Sequence, residues 1–432
     1  MSAETNQTRT DAVIGGRGIA SMGAAAALGA LSGYLVLVIV ARTVTRATNA
    51  EFLVFWSLLF TSFGVLGGLQ QEATRAVGTA ELTRAPKDGA HVLPWFVGIG
   101  AAFAVVVAAL SPWWRSALLS NDSSPAAALA LCAAALVFSG HLTMVGTLAG
   151  QRRWSLSALL IGGESLLRLV VVALVALVGS GLSGLEVAVT VSTAFWLVLL
   201  LAARPLRRAA TARADVGPRV LASRAGHAML AALGSAALVV GFPTLLRLSS
   251  SADEWLTAAP LVLAISLTRA PLLIPLNAFQ GVAISYFLGS GKRAAALVRV
   301  VAVIAAAGVA GAVVAAVIGP PLMEAFFGAT YRVDGLLLGA LTLAAVALAI
   351  LTMTGAGTLA LARHRYYAAG WLVATAVSVA LLFVPLALDA RALLSLAVGP
   401  LAGIAVHAVG MRGNEGHRVV AEGAVGPGPG IV

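Results

Sequence analysis

The chain has 432 residues, of which 60% are hydrophobic and only 10% carry a formal charge. A soluble domain usually carries about 25% charged residues, and a mean hydropathy of +0.97 excludes one here. The net charge of +11 does not indicate a nucleic-acid partner, because the basic residues flank apolar runs instead of forming one patch. The single cysteine, Cys132, allows no intramolecular disulfide and no cysteine-based metal site.

Twelve apolar runs are long enough to cross a bilayer core as helices, which takes about 20 residues each. Each helix satisfies its own backbone hydrogen bonds, as lipid requires. We therefore predict an all-α polytopic membrane protein, with its spans in two six-helix lobes around a central cavity. The predicted spans are 18–41, 51–73, 91–113, 126–150, 156–178, 185–203, 225–247, 257–282, 294–319, 335–361, 367–388 and 392–411.

The basic residues indicate how the spans are oriented. With the N-terminus inside, 20 of the 28 Lys and Arg residues lie in cytoplasmic segments and six in outer segments, as the positive-inside rule expects. We predict a plasma-membrane protein with both termini in the cytoplasm. The predicted domains are a disordered N-terminus (1–17), an N-lobe (18–203), a basic cytoplasmic linker (204–224), a C-lobe (225–411) and a disordered tail (412–432).

The two halves share a short motif. Gly146–Ala149 and Gly357–Ala360 both read Gly-Thr-Leu-Ala and close predicted spans four and ten, and arginines follow each of them. Because the spans have the same parity in both halves, the match predicts parallel repeats related by an axis along the membrane normal. That arrangement suits alternating access to a central site.

Motifs of enzymes are absent from the sequence. It contains no P-loop, no Gly-x-Ser-x-Gly, no His-Glu-x-x-His and no pair of cysteines. We predict that the protein is not an enzyme, has no catalytic residues and binds no metal and no cofactor.

Charges inside spans are the candidate functional residues, since each is costly in lipid unless it is paired or faces water. Glu164 and Arg168 lie four residues apart in span five, on one helix face. They form either a structural pair or a cavity wall at which Arg168 contacts an anionic substrate. Arg269 in span eight is followed by Pro271 and Pro275 and has no acidic neighbour in sequence. We expect Arg269 to face a water-filled cavity, where its planar guanidinium suits phosphate. The alternative is a partner acid on another helix, for which Glu164 is the candidate.

Amide side chains extend this candidate substrate site. Asn277 and Gln280 follow Arg269 in span eight, and Gln280 lies close to three helical turns beyond it. Gln70 and Gln71 stand at the corresponding end of span two. All four line the inner mouth of a cavity or lie in the membrane interface, and the sequence favours neither.

Three segments carry a family resemblance. They are Ala30–Arg75, with Glu51-Phe52 and Gly67-Gly68-Leu69, Leu272–Phe287 around Gln280, and Pro321–Arg332 with Phe326-Phe327-Gly328. These segments resemble the polysaccharide-transporter, O-antigen flippase-like branch of the multidrug/oligosaccharidyl-lipid/polysaccharide (MOP) flippase superfamily. The resemblance implies two lobes around a cationic cavity, and flipping of a polyprenyl-diphosphate-linked glycan by alternating access. Arg269 matches a frequent basic residue of the family's span eight.

Two other functions stay open beside the flippase. One is a small-molecule exporter of the multidrug and toxin extrusion branch, for which Glu164 is the candidate coupling acid. The other is a membrane enzyme or scaffold of cell-envelope polysaccharide synthesis. The expected partners of a flippase are the lipid-linked glycan, membrane lipids, and glycosyltransferases or a polymerase of the same pathway.

Overall fold

The computed structural model describes residues 16–83, 89–119, 124–269, 272, 293–361 and 363–412, which are largely helical. The helices in chain order are α1 (Gly16–Thr43), α2 (Arg46–Thr83), α3 (Val92–Ala109), α4 (Ser111–Leu118), α5 (Ser124–Gly150), α6 (Trp154–Val178), α7 (Gly181–Val191), α8 (Phe195–Ala202), α9 (Arg204–Ala210), α10 (Pro218–Val239), α11 (Phe242–Leu248), α12 (Ala252–Leu256), α13 (Ala259–Arg269), α14 (Arg293–Phe327), α15 (Gly335–Ala360), α16 (His364–Leu382) and α17 (Leu388–Arg412).

Most of the predicted spans coincide with these helices. Ten helices of the described segments are long and apolar enough to cross a bilayer, or eleven if the bent pair α10–α11 is one span. In this number α7 and α8 form one span, joined by a 3-10 turn at Ser192–Ala194. Of the predicted eighth span, 257–282, residues 257–269 and Leu272 are described, and α13 begins at Ala259. The chain is therefore a multi-pass α-helical membrane protein, as predicted.

The seventh span differs from the prediction. Residues 225–247 do not form one straight helix, because α10 and α11 meet at 71°. The break falls at Gly241, where the missing side chain leaves room for α2, and Pro243 in the first turn of α11 supplies no backbone donor. Ser57 on α2 donates a hydrogen bond to the Val240 carbonyl at 2.9 Å. A side chain on a neighbouring helix thus satisfies a carbonyl that the break leaves without a helical donor.

The predicted linker, 204–224, is ordered. It contains α9 and the first turns of α10, and the chain between them runs beside the segment that precedes α3. The Ala90 N–H donates to the Val216 carbonyl at 3.1 Å, and the Ala214 N–H donates to the Ala90 carbonyl at 2.8 Å. These bonds hold the linker against the end of the α2–α3 connection.

The chain divides into two compact units. Unit 1 comprises Met1–Val262 and Phe326–Thr330, and unit 2 comprises Leu263–Ala325 and Tyr331–Val432. In unit 1, α2 packs on α5 and α10, and α1 packs on α6; in unit 2, α17 packs on α15 and α16. The contacts within the chain group α10–α12 with unit 1. The predicted boundary between an N-lobe and a C-lobe, which lies in the linker, stays a prediction.

One turn has the same geometry in both units. Arg153 precedes α6 with φ −88° and ψ 58°, and Arg363 precedes α16 with φ −94° and ψ 54°. Each arginine N–H donates at 2.8 Å to the carbonyl five residues earlier, that of Leu148 or Thr358. The structurally equivalent residues of the two turns, Arg153 and Arg363, are 210 positions apart in the sequence. The Gly-Thr-Leu-Ala segments are shifted by 211 (146 to 357), so the sequence match was one residue out of register.

Candidate functional site

A buried ion pair lies in the interior of unit 1. Glu164 and Arg168 are 3% and 4% exposed, and one terminal nitrogen of Arg168 lies 2.5 Å from each carboxylate oxygen of Glu164. Both residues are on α6, one turn apart, so the helix itself brings the two side chains together. The predicted pairing of the two residues is present in the structure.

A third residue reaches this pair from the next span. The Ser192 hydroxyl donates to Glu164 Oε1 at 2.7 Å and is fully buried. Ser192 opens the 3-10 turn between α7 and α8. Sequence reasoning missed Ser192, because a single serine in an apolar span gives no signal about which helix it approaches.

Aromatic rings cover the other side of Arg168. The guanidinium carbon lies 4.8 Å from the centre of the Phe60 ring and 6.0 Å from that of Trp56, both on α2. Such contacts stabilise a cation by about 0.5–2 kcal/mol. Arg168 Nε is buried without a hydrogen-bond partner in the described part of the chain. Trp56 and Phe60 were also missed, although aromatic residues four apart on one helix could have indicated them.

A histidine adjoins the same aromatic stack. Phe63 stacks on Phe138 with ring centres 3.8 Å apart, and Phe138 stacks on His141 at 4.9 Å. His141 is 2% exposed, and its Nδ1 has no hydrogen-bond partner among the described residues. We call the set of Glu164, Arg168, Ser192, Trp56, Phe60 and His141 the interior ion-pair site.

The remaining predicted site residues are Gln70, Gln71, Arg269, Asn277 and Gln280. Gln70 and Gln71 lie ten and eleven residues beyond Phe60 on α2, which is about 15 Å along the helix. Gln70 is half-buried and Gln71 is exposed. Arg269 is 6% exposed and ends the described part of α13, in unit 2. Two further residues lie outside the described residues, namely Asn277 and Gln280. The membership of all five in a substrate site stays a prediction.

A second buried acid escaped the sequence reasoning, which named Glu164 as the only candidate coupling acid. Glu186 on α7 is fully buried, and neither of its carboxylate oxygens has a hydrogen-bond partner among the described residues. An isolated carboxylate in an apolar interior is compensated by a proton or a cation. Glu186 stands near the start of its apolar run. From the sequence alone, an acidic residue at such a position is expected to lie in the membrane–water interface.

Charged groups also meet at the linker. Arg75 on α2 bonds to Glu72 at 2.6 Å and to Asp215 at 2.9 Å, and Arg224 lies 3.7 Å from Asp215. Partial desolvation acts to raise the pKa of Asp215, but hydrogen bonds from Arg75 and the charges of Arg75 and Arg224 outweigh it. The pKa of Asp215 therefore falls below its ordinary value. We call these four residues the linker cluster.

The interior ion-pair site holds a neutralised cation beside aromatic faces and away from water. A substrate anion, or a proton on Glu164, would release Arg168 from its partner. Among the described residues no group of three or more His, Cys, Asp or Glu side chains could hold a metal ion.

Solved structures define the fold of this protein. The inward-facing conformation of a multidrug resistance MATE family transporter of the MOP superfamily aligns with a TM-score of 0.71, covering 92% of this chain and 96% of that chain at 15% identity. A MOP superfamily transporter from Pyrococcus furiosus aligns with a TM-score of 0.67 over 92% of this chain and 95% of that chain, also at 15% identity. The chain therefore has the fold of these transporters, which confirms the predicted fold class of an all-α, multi-pass membrane protein.

Sequence comparison defines the family. The chain is 37% identical over 396 residues to the uncharacterized protein Rv3630 of Mycobacterium tuberculosis, covering 91% of both chains. It is likewise 37% identical over 391 residues to the uncharacterized protein Rv1510 of the same organism, covering 90% of both. The protein belongs to the family of these mycobacterial proteins. No protein-family model matches the chain.

Proposed function

We propose that this protein is a flippase that carries a polyprenyl-diphosphate-linked oligosaccharide, or a related cell-envelope glycolipid, across the plasma membrane by alternating access. The observation that carries the proposal is the burial of two arginines in apolar helices, Arg168 at 4% and Arg269 at 6% exposure. Charged residues inside spans mark transport pathways in membrane proteins.

The substrate's charge explains why arginines would be needed. A diphosphate has to cross the bilayer centre, where an uncompensated charge costs many kcal/mol. A guanidinium offers phosphate a planar fork of donors. The aromatic faces of Trp56 and Phe60 beside Arg168 provide an apolar wall of the kind that ligand sites combine with a few polar groups.

The test uses the full-length protein in proteoliposomes that contain a fluorescent polyprenyl-diphosphate sugar. Flipping is measured as the fraction of the sugar that a membrane-impermeant reagent reaches. We expect Arg269→Ala to abolish flipping and Arg269→Lys to restore part of it, because charge returns without the bidentate geometry. The exposed Arg219→Ala is the matched control and should flip normally. Normal flipping by folded Arg269→Ala would contradict the proposal.

One observation favours a second candidate, a cation-coupled exporter of small molecules. The fully buried Glu186 has two carboxylate oxygens without partners among the described residues, and such a group can exchange a proton or a monovalent cation during transport. The structural relatives named above include a multidrug resistance transporter, which supports the same candidate.

The same proteoliposomes distinguish the two candidates. An exporter would accumulate a fluorescent organic cation when a proton or sodium gradient is imposed, and Glu186→Gln should remove this dependence on the gradient. A flippase would leave the dye where it is and move the lipid-linked sugar. Dye transport that is lost in Glu186→Gln, together with absent sugar flipping, would favour the exporter.

A further inference from the structure

A pocket opens at the end of unit 1 where the α5–α6 turn meets α9. Its volume is 510 Å³, which falls in the range of about 300–1,000 Å³ typical of small-molecule sites. The N-terminal end of α1 closes one side. The lining residues that carry side-chain chemistry are Arg152, Arg153, Trp154, Ser155 and Arg208.

The charge of this pocket is uniformly positive. Three arginines line it, and no acidic side chain is among the lining residues. Arg153 bridges the two elements, since its terminal nitrogen donates to the Pro205 carbonyl at 3.4 Å. Like charges gathered along one pocket repel one another, so an anion in the pocket lowers the energy of the arrangement.

The turn that carries Arg152 ends α5. Arg152 has φ 59°, and it is the only residue other than glycine with a positive φ in the described segments. The left-handed residue lets the Arg153 N–H donate back to the Leu148 carbonyl at 2.8 Å, which ends the helix and leaves Arg152 and Arg153 among the lining residues of the pocket. The corresponding turn before α16 shares the φ and ψ of its last residue, Arg363.

We propose that this pocket binds the phosphate group of an anionic membrane lipid. The arginines supply charge-assisted hydrogen bonds to phosphate oxygens. Trp154 begins α6, a spanning helix, and tryptophan is enriched at the membrane–water interface, at the level of the headgroups. The predicted topology places this end of unit 1 at the cytoplasmic leaflet, where basic pockets between helices bind phospholipid headgroups. The proposal does not depend on which substrate the protein transports.

The test measures lipid binding in nanodiscs of zwitterionic phosphatidylcholine that hold the full-length protein. Phosphatidylglycerol, or phosphatidylcholine as reference, is added with bromine atoms near the headgroup, which quench nearby tryptophans. The signal of Trp154 is the quenching that disappears in Trp154→Phe. We expect preferential quenching by the anionic lipid, and a loss of apparent affinity of about fivefold for each arginine removed.

The variants separate a local site from general surface charge. Arg152→Gly keeps the left-handed backbone and removes the charge, and it is combined with Arg208→Gln. Arg207→Gln is the matched control on the same helix, because Arg207 is not a lining residue and donates to the Leu201 carbonyl. Arg208→Lys should retain the lipid preference, and it keeps the test valid if the double variant does not fold.

Each outcome decides between sources of the phosphate or rejects the site. Anionic preference that falls in Arg152→Gly/Arg208→Gln, persists in Arg207→Gln and resists millimolar inorganic phosphate supports a lipid headgroup. Displacement by inorganic phosphate alone supports the same pocket with a soluble phosphate as its ligand. Equal quenching by both lipids together with no effect of phosphate, or an equal loss in Arg207→Gln, would overturn the proposal.

Discussion

The α5–α6 hairpin of unit 1 and the α15–α16 hairpin of unit 2 begin with the same turn but differ in their interiors. With the structural shift of 210 residues between Arg153 and Arg363, Glu164 and Arg168 correspond to Ala374 and Ser378. Ala374 is fully buried against its neighbours. Two small neutral residues thus occupy on α16 the positions that a charged pair occupies on α6.

Ser378 makes its polar contacts with the backbone of the next helix. The Ser378 hydroxyl donates to the Ser395 carbonyl at 3.0 Å, and the Ser395 hydroxyl donates to the Ser378 carbonyl at 2.8 Å. These bonds join α16 to α17 without any charge. The hairpin architecture therefore does not require an ion pair, and desolvating one is expensive. We infer that the pair in unit 1 is retained for function.

Breaking the pair should give the largest effect on stability. Glu164→Ala leaves Arg168 as an uncompensated buried charge, which typically costs about 3–5 kcal/mol. The double substitution Glu164→Ala/Arg168→Ser copies the residues of unit 2 and should recover most of this loss. Denaturant unfolding of the purified protein in detergent measures both. If the double variant is as unstable as Glu164→Ala alone, the pair is needed for the fold and the comparison fails.

Removing the hydroxyl that supports the pair should have an intermediate effect. Ser192→Ala deletes a hydrogen bond to a charged group, for which about 1.5–3 kcal/mol is typical. In the background of Glu164→Ala/Arg168→Ser the same substitution should have little effect, because the carboxylate is gone. A double-mutant cycle by equilibrium unfolding gives the coupling energy. Equal losses in both backgrounds would mean that Ser192 stabilises the 3-10 turn itself.

The neutral hairpin should be less sensitive. Ser378→Ala removes one hydrogen bond between uncharged groups, and about 1 kcal/mol is the usual loss. The cavity left by the oxygen is small, so the packing of α16 on α17 should persist. Thr375→Ala on the same helix, where the hydroxyl bonds to the Trp371 carbonyl within its own helix, is the control and should change stability less. A loss in Ser378→Ala as large as that of Glu164→Ala would remove the contrast between the hairpins.

The sequence predicted the spans and the ion pair but not the residues that surround the pair, and the reasons are physical. Hydropathy located the spans because a membrane helix satisfies its backbone within one segment. The spacing of Glu164 and Arg168 predicted their pairing for the same reason, since one helix determines it. Ser192, Trp56 and Phe60 approach from other helices, and no local pattern encodes which helices become neighbours.

The bend at Gly241 and the burial of Glu186 were missed for similar reasons. Gly241 and Pro243 lie in an apolar run that hydropathy reads as continuous, and the compensating hydroxyl comes from Ser57, far away in sequence. Glu186 stands near the predicted start of a span, and its depth depends on how its helix packs. Properties of a single helix were therefore predictable, whereas properties of a contact between helices were not.

We expect the smallest effect on stability from the linker cluster, whose ion pairs lie closer to water than the Glu164–Arg168 pair. The linker cluster also joins arginines to a carboxylate, Asp215, but solvent screens it, so Asp215→Asn should lower stability by at most about 1 kcal/mol. Because the pKa of Asp215 is lowered in the folded protein, this contribution is present above the unfolded pKa of about 3.9 and is lost as pH falls through the folded pKa. The difference in unfolding midpoint between wild type and Asp215→Asn should stay constant from neutral to mildly acidic pH and shrink in stronger acid. Asp253→Asn, on the exposed α12, controls for the loss of a negative charge. A difference that grows on acidification, or a loss of stability as large as that of Glu164→Ala, would contradict this prediction. It would mean that burial does not explain the difference in stability between the linker cluster and the Glu164–Arg168 pair.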